Sequence, residues 1–123
     1  MPELLLIEDD VVVLKALTRF LQKEGFCVDP TANGQEAFKK LEQNRYDLVI
    51  TDLNMPLASG YEVMKRIRSL DRHIGIPVIV ITSQVNEEAI TQCYSIGADD
   101  FIRKPVMPQE LHVRVKRLLG HFA

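Results

Sequence analysis

Two hydrophobic periods take turns along this chain. Short unbroken apolar runs stand at Leu4–Ile7, Leu48–Thr51 and Pro77–Thr82, each bounded by turn or charged residues. Runs of this length predict strands buried on both faces of a parallel sheet. Between them, apolar residues recur at helical spacing. Val13, Leu14, Leu17, Phe20 and Leu21 predict a first helix, which Asp10 can cap and Gly25 can close. Phe26–Val28 is a weaker second strand with a single alternation, and Thr31–Gly34 reads as a loop. Asn33 and Glu36 stand three apart, as in a capping box, ahead of a helix with Ala37, Phe38 and Leu41 on one face. The third strand, Leu48–Asp52, runs into turn chemistry at Asn54–Pro56, and 56–60 is loop. Ser59 and Glu62 form a better capping box before Val63, Met64, Ile67 and Leu70. The fourth strand, ending at Thr82, is the clearest, being β-branched throughout. Asn86, Glu87 and Glu88 suit the start of a fourth helix, where the dipole favours negative charge, and Gly97 ends it. Phe101–Ile102 is a short fifth strand, and Pro108 opens a last helix with Leu111, Val115, Leu118 and Leu119 on one face.

Five βα units follow one another with short connections and no linker, repeat or low-complexity segment. Such alternation predicts an α/β fold: a parallel sheet with helices on both faces and right-handed crossovers. The length of 123 residues suits one domain, 1–123. The periodicity leaves the strand order open.

Composition removes some functions. The chain is 46% hydrophobic and 26% charged, with a net charge of −2, so nothing global favours nucleic acid. The longest apolar run is far too short to span a membrane, and no basic-then-apolar leader opens the sequence; the default expectation is the cytoplasm. Cys27 and Cys93 lie far apart and away from ligand-spaced histidines, which predicts buried free thiols. His73, His112 and His121 are scattered and are expected at the surface. Arg114, Lys116 and Arg117 read as a solvated helix end that complements the dipole.

The chemistry gathers at strand ends. Glu8 and Asp9 follow the first strand, Asp52 ends the third, Thr82 the fourth, and Lys104 follows the fifth. In a parallel sheet these ends share one edge, where open α/β sheets place their ligands. With the order 2-1-3-4-5, the first and third strands are neighbours and Glu8, Asp9 and Asp52 form a carboxylate cluster. Such a cluster calls for a cation between its members, and Mg²⁺ with retained waters is the natural candidate. Lys104 adds a positive charge from the far side. A carboxylate nucleophile, a divalent cation, a lysine and a hydroxyl are the parts phosphoryl transfer needs.

Glu8-Asp9, Asp52, Asn54–Pro56, Gly60, Thr82 and Phe101 with Lys104-Pro105, taken in order, resemble the response-regulator receiver domain of two-component signalling. The resemblance covers essentially the whole chain. It implies a flavodoxin-like, doubly wound, five-stranded parallel sheet of order 2-1-3-4-5. It implies that Asp52 is the phosphoacceptor, charged by a histidine kinase or a phosphotransfer protein. Glu8 and Asp9 would serve Mg²⁺ (or Mn²⁺) with Asp52, Glu8 through water, and the backbone carbonyl of Asn54 would complete the protein ligands. Thr82 and Phe101 match the family's switch pair, which alters the face of the fourth helix, fifth strand and fifth helix. The bond before Pro105 is expected cis. The resemblance further implies a downstream target or a fused output domain, no membrane partner and no direct contact with nucleic acid.

Some positions depart from the family's pattern. Ala58-Ser59 stands where Met-Asp is common, Ser83 where a smaller residue is usual, and Met107 where an acidic cap is common. Ser83 and Gln84, with Asn54, border the site and could tune the phosphoryl lifetime. The competing reading is a catalyst on the same architecture. No Gly-x-Gly-x-x-Gly or Walker A loop is present, which argues against a flavin or nucleotide enzyme. An aspartyl-phosphate hydrolase would want an acid two residues after the nucleophile, where Asn54 stands. A docking-only pseudo-receiver is disfavoured by the intact acids. The expectation is a signalling domain that catalyses only its own phosphorylation and dephosphorylation, either standing alone or as part of a longer chain.

Overall fold

The computed structural model describes residues 1–120 except Pro56 and Ile74, and for Arg72 the backbone alone. The strands are β1 (Glu3–Ile7), β2 (Cys27–Thr31), β3 (Leu48–Asp52), β4 (Val78–Thr82) and β5 (Asp100–Arg103). The helices are α1 (Val11–Lys23), α2 (Gly34–Gln43), α3 (Gly60–Ser69), α4 (Glu87–Ile96) and α5 (Pro108–Leu119). A short 3₁₀ turn, Asp71–His73, follows α3 and was not anticipated. All strand pairs are parallel, in the order β2-β1-β3-β4-β5, as expected.

The apolar runs are strands because both of their faces are covered. Leu4, Leu6, Leu48, Ile50, Ile79 and Ile81 pack with Leu14, Leu17 and Leu21 of α1 and Leu111, Val115 and Leu119 of α5. The alternate residues Leu5, Ile7, Val49, Val78 and Val80 meet Ala37 and Leu41 of α2, Val63, Met64 and Ile67 of α3, and Cys93 of α4. With side chains on alternate faces of each strand, one sheet thus serves two cores. The caps fall where the sequence placed them. Asp10 accepts from Val12 and Val13 N–H, Asn33 from Glu36 N–H, and Asn86 from Ala89 N–H. Ser59 and Glu62 complete both halves of a capping box, whereas Met107, at the N-cap of α5, makes no side-chain cap bond.

Several expectations need correction. β2 starts one residue later than Phe26 and runs on to Thr31, through Asp29 and Pro30. β2 pairs only with β1, so Pro30 sits on an edge strand, where its missing N–H does least harm. Lys40 and the Tyr46 hydroxyl hold the Asp29 carboxylate. His73 is buried, not at the surface: its Nε2 accepts from Tyr46 N–H and its ring stacks on Tyr46. His112 is half-buried, edge-on to Phe20 and Phe26, and His121 lies outside the described residues. Arg114 and Arg117 do not simply face solvent; both pair with the buried Asp100 carboxylate. Cys93 is buried and Cys27 half-buried, and both are free thiols.

Candidate functional site

Each site residue stands where a strand ends and the backbone turns away. Glu8 and Asp9 follow β1, and Glu8 N–H donates to Thr31 O at the end of β2. Asp52 is the last residue of β3. Leu53 N–H donates to its Oδ1 at 2.6 Å and Asn54 N–H at 3.4 Å, so the loop itself orients the carboxylate. Gly60 N–H closes this loop on Leu53 O at 2.8 Å. Only glycine fits there, because a Cβ would overlap the carbonyl oxygen of Asp52. Thr82 ends β4, one residue beyond the partner of Asp52 in the ladder. Lys104 follows β5, its N–H held by Thr82 O at 2.9 Å, and the Lys104–Pro105 bond is cis, as expected.

These residues converge. One carboxylate oxygen from each of Glu8, Asp9 and Asp52 lies within 4.8 Å of the others. Lys104 Nζ is 2.7 Å from Asp52 Oδ2, to which it donates, and 2.7 Å from Glu8 Oε1. The single Lys104 ammonium thus serves the carboxylates of both Glu8 and Asp52. Three carboxylates against one ammonium leave two negative charges when all are ionised, which suits a divalent ion. Glu8 has no exposed surface. Its burial pushes its pKa up from 4.5 to about 7, with Lys104 pulling down and Asp52 pushing up. Burial also opposes the Lys104 charge, but the Asp52 and Glu8 carboxylates outweigh it and hold the ammonium above its usual range.

The remaining residues border this pocket. Thr82 is buried, and its Oγ1 accepts from Gln84 N–H at 3.0 Å. Ser83 is exposed and Gln84 half-buried. Phe101 is half-buried against the core cluster that contains α3 and Cys93. Asn54 Nδ2 donates to Gln84 Oε1 at 3.2 Å, a pairing that sequence reasoning placed only as two neighbours of the site. Pro56 of the turn motif lies outside the described residues. Sequence reasoning missed the pair of arginines on Asp100, because nothing in a linear pattern joins β5 to the far turns of α5. No helix among the described residues is long and apolar enough to cross a membrane.

Comparison with known proteins bears on this geometry. The family model described as the response regulator receiver domain matches residues 4–116. The transcriptional regulatory protein ResD of Bacillus subtilis is 35% identical over 117 residues, covering 95% of this chain and 48% of ResD. The transcriptional regulatory protein AfsQ1 of Streptomyces coelicolor is 36% identical over 119 residues, covering 97% of this chain and 52% of AfsQ1. The chain therefore spans about half the length of these relatives. Among solved structures, the chemotaxis protein CheY4 of Vibrio cholerae superposes with a TM-score of 0.91 at 28% identity, covering 96% of this chain and 98% of that one. The receiver domain of the sensor histidine kinase PA1611 of Pseudomonas aeruginosa PAO1 gives 0.89 at 28% identity, covering 97% and 98%, and carries a magnesium ion coordinated in its active-site cleft. The chain belongs to the response regulator receiver domain family of two-component signal transduction.

Proposed function

We propose that Asp52 is a phosphoacceptor, charged by a histidine kinase or phosphotransfer protein in a Mg²⁺-dependent reaction. The observation that carries this reading is the convergence of Glu8, Asp9 and Asp52 with Lys104 at the carboxyl edge of the sheet. Asp52 attacks phosphorus; an Asp52 oxygen–phosphorus bond forms and the donor's nitrogen–phosphorus bond breaks. The nitrogen leaves with the electron pair and takes a proton from solvent. The backbone N–H groups of Leu53 and Asn54 hold the carboxylate in place for this attack. Lys104, already at Asp52 Oδ2, moves its charge onto a phosphoryl oxygen, and Thr82 can donate its hydroxyl to another. Glu8, Asp9, Asp52 and the Asn54 backbone carbonyl would hold Mg²⁺, or Mn²⁺ in its place, Glu8 through water. The ion would supply neutralisation of the charge that builds on the phosphoryl oxygens.

Charging shifts an equilibrium between two arrangements of the α4-β5-α5 face, in which the Thr82 hydroxyl and the Phe101 ring move together. That face would control a downstream target or a fused output domain, with no nucleic-acid contact by this domain itself. Incubation with a small phosphodonor and Mg²⁺ tests the reading. A single slowly decaying phosphoryl group per chain, abolished by Asp52→Asn, is expected; steady turnover of small substrates would instead reveal an enzyme. Lys104→Ala is expected to take label yet lose the change in partner binding. Normal partner affinity in the labelled variant would refute that role.

A further inference from the structure

α4 is tied down differently at its two ends. The caps at its start are local. Asn86 Oδ1 accepts from Ala89 N–H at 2.8 Å, and Glu87 and Glu88 complement the positive end of the dipole. All three cap residues are exposed, so this end keeps its caps wherever it goes. The other end is capped by a different element. α1, α2, α3 and α5 each carry a basic residue in the last turn, and α4 carries none. Arg68, near the end of α3, supplies the missing cation. Its Nη2 donates to the carbonyl oxygen of Gly97, the C-cap of α4. The same nitrogen lies 3.3 Å from Asp99 Oδ2, which accepts from Val78 N–H at 2.8 Å, and Nη1 donates to Ile76 O at 2.7 Å. One guanidinium thus joins the exit of α4 to the approach to β4. Gly97 lets it come this close: its φ is +122°, and a Cβ there would lie 2.7 Å from Arg68 Nε. Tyr61 of α3 also meets the buried Cys93 thiol, in the C-terminal half of α4.

We propose that Arg68 makes Gly97 the pivot of α4, so that charging of Asp52 swings the N-terminal end of the helix while its C-terminal end stays fixed on α3. The inference rests on the reading of Asp52 as a phosphoacceptor that shifts the α4-β5-α5 face. Its physical basis is the contrast between the two kinds of cap. Moving the C-terminal end breaks charge-assisted hydrogen bonds to a group anchored in another element. Moving the N-terminal end leaves its own caps intact, and Ala89 is the one buried residue of the first turn. The drive arrives at that looser end, because residues 83–86 lead from Thr82 straight into α4. A helix of 10 residues is about 15 Å long, so displacement grows from nothing at Gly97 to its largest value beside Asn86.

The experiment measures distances between pairs of spin labels before and after charging with acetyl phosphate and Mg²⁺. One label replaces exposed Lys39 of α2, and the second replaces either Glu88 or Ser95, both exposed, in the first and last turns of α4. Cys27→Ser removes the half-buried thiol, and Cys93 stays, being buried. Intact mass reports the phosphoryl group. Charging is expected to shift the 39–88 distance by about 1–2 Å and to leave the 39–95 distance unchanged. In Arg68→Met both distances are expected to shift. Equal shifts at both positions in the wild-type background, a shift at 95 alone, or no shift at either in charged protein would overturn the pivot. A fixed 39–95 distance in charged Arg68→Met would overturn the role of Arg68. The wild-type pair of distances decides the pivot without that variant, so its failure to fold would not shield the proposal. Absence of any phosphoryl group on the wild-type chain would instead sink the phosphoacceptor reading, a result distinct from charged protein whose α4 moves as a whole.

Discussion

Glu8 is the residue whose surroundings say most about the site. It is fully buried, and its pKa rises from 4.5 to about 7 because burial disfavours its charge, against the pull of Lys104. The sign of the consequence follows from linkage. A folded-state pKa above the unfolded one means the metal-free fold binds that proton more tightly. Its contribution to stability is full below about 4.5 and is lost as the pH rises through about 7. A divalent ion reverses the balance, because it must displace the proton. Mg²⁺ is therefore expected to raise the melting temperature more at pH 8 than at pH 6, with the dependence flattening in Glu8→Gln. Equal shifts at both pH values would show that Glu8 does not titrate with the ion. Gly60 makes a second residue-scale case. Gly60→Ala places a methyl group on the Asp52 carbonyl oxygen, and melting should register a loss of more than about 2 kcal/mol.

At the scale of elements, the helix starts are the most legible features and the least equal. The Ser59–Glu62 capping box holds the start of α3 beside the loop that follows Asp52, so Ser59→Ala should lower stability by about 1 kcal/mol. The start of α5 is the opposite case: Met107 has the extended backbone of a cap and no oxygen to offer. Met107→Asp should raise stability by about 0.5–1 kcal/mol, read as a higher urea midpoint with unchanged slope. Strand legibility divides the same way. β1, β3 and β4 were readable because burial on both faces demands unbroken apolar runs. β2 was only half readable, since Asp29 and Pro30 carry the wrong propensities for a strand. Its extension depends on an edge position and on Lys40 and Tyr46, which lie elsewhere in the chain. The 3₁₀ turn at Asp71–His73 has no periodic signature, and the burial of His73 depends on Tyr46, 27 residues away.

Across the whole molecule, the sheet acts as a frame that brings polar residues from several strand ends to a common edge. That convergence was readable because parallel strands all end on the same side, so residue types at strand ends were enough. The finer polar pairings were not. Asp100 with Arg114 and Arg117, and Asn54 with Gln84, join loops and helices whose spacing in sequence carries no period. The same frame links site and surface: Lys104 follows β5, which turns Asp100 toward Arg114 of α5 and Phe101 toward the core that holds Cys93 of α4. Movement of Lys104 onto a phosphoryl group would thus be felt on the α4-β5-α5 face. The central claim, that the three acids make Asp52 a phosphoacceptor, is tested most directly by peptide mapping of the chain after charging with acetyl phosphate. One phosphoryl group is expected, on the peptide that contains Asp52 and on that residue, formed with Mg²⁺ and not formed when the ion is chelated. A phosphoryl group on any other residue, or equal labelling of Asp52→Asn, would contradict it.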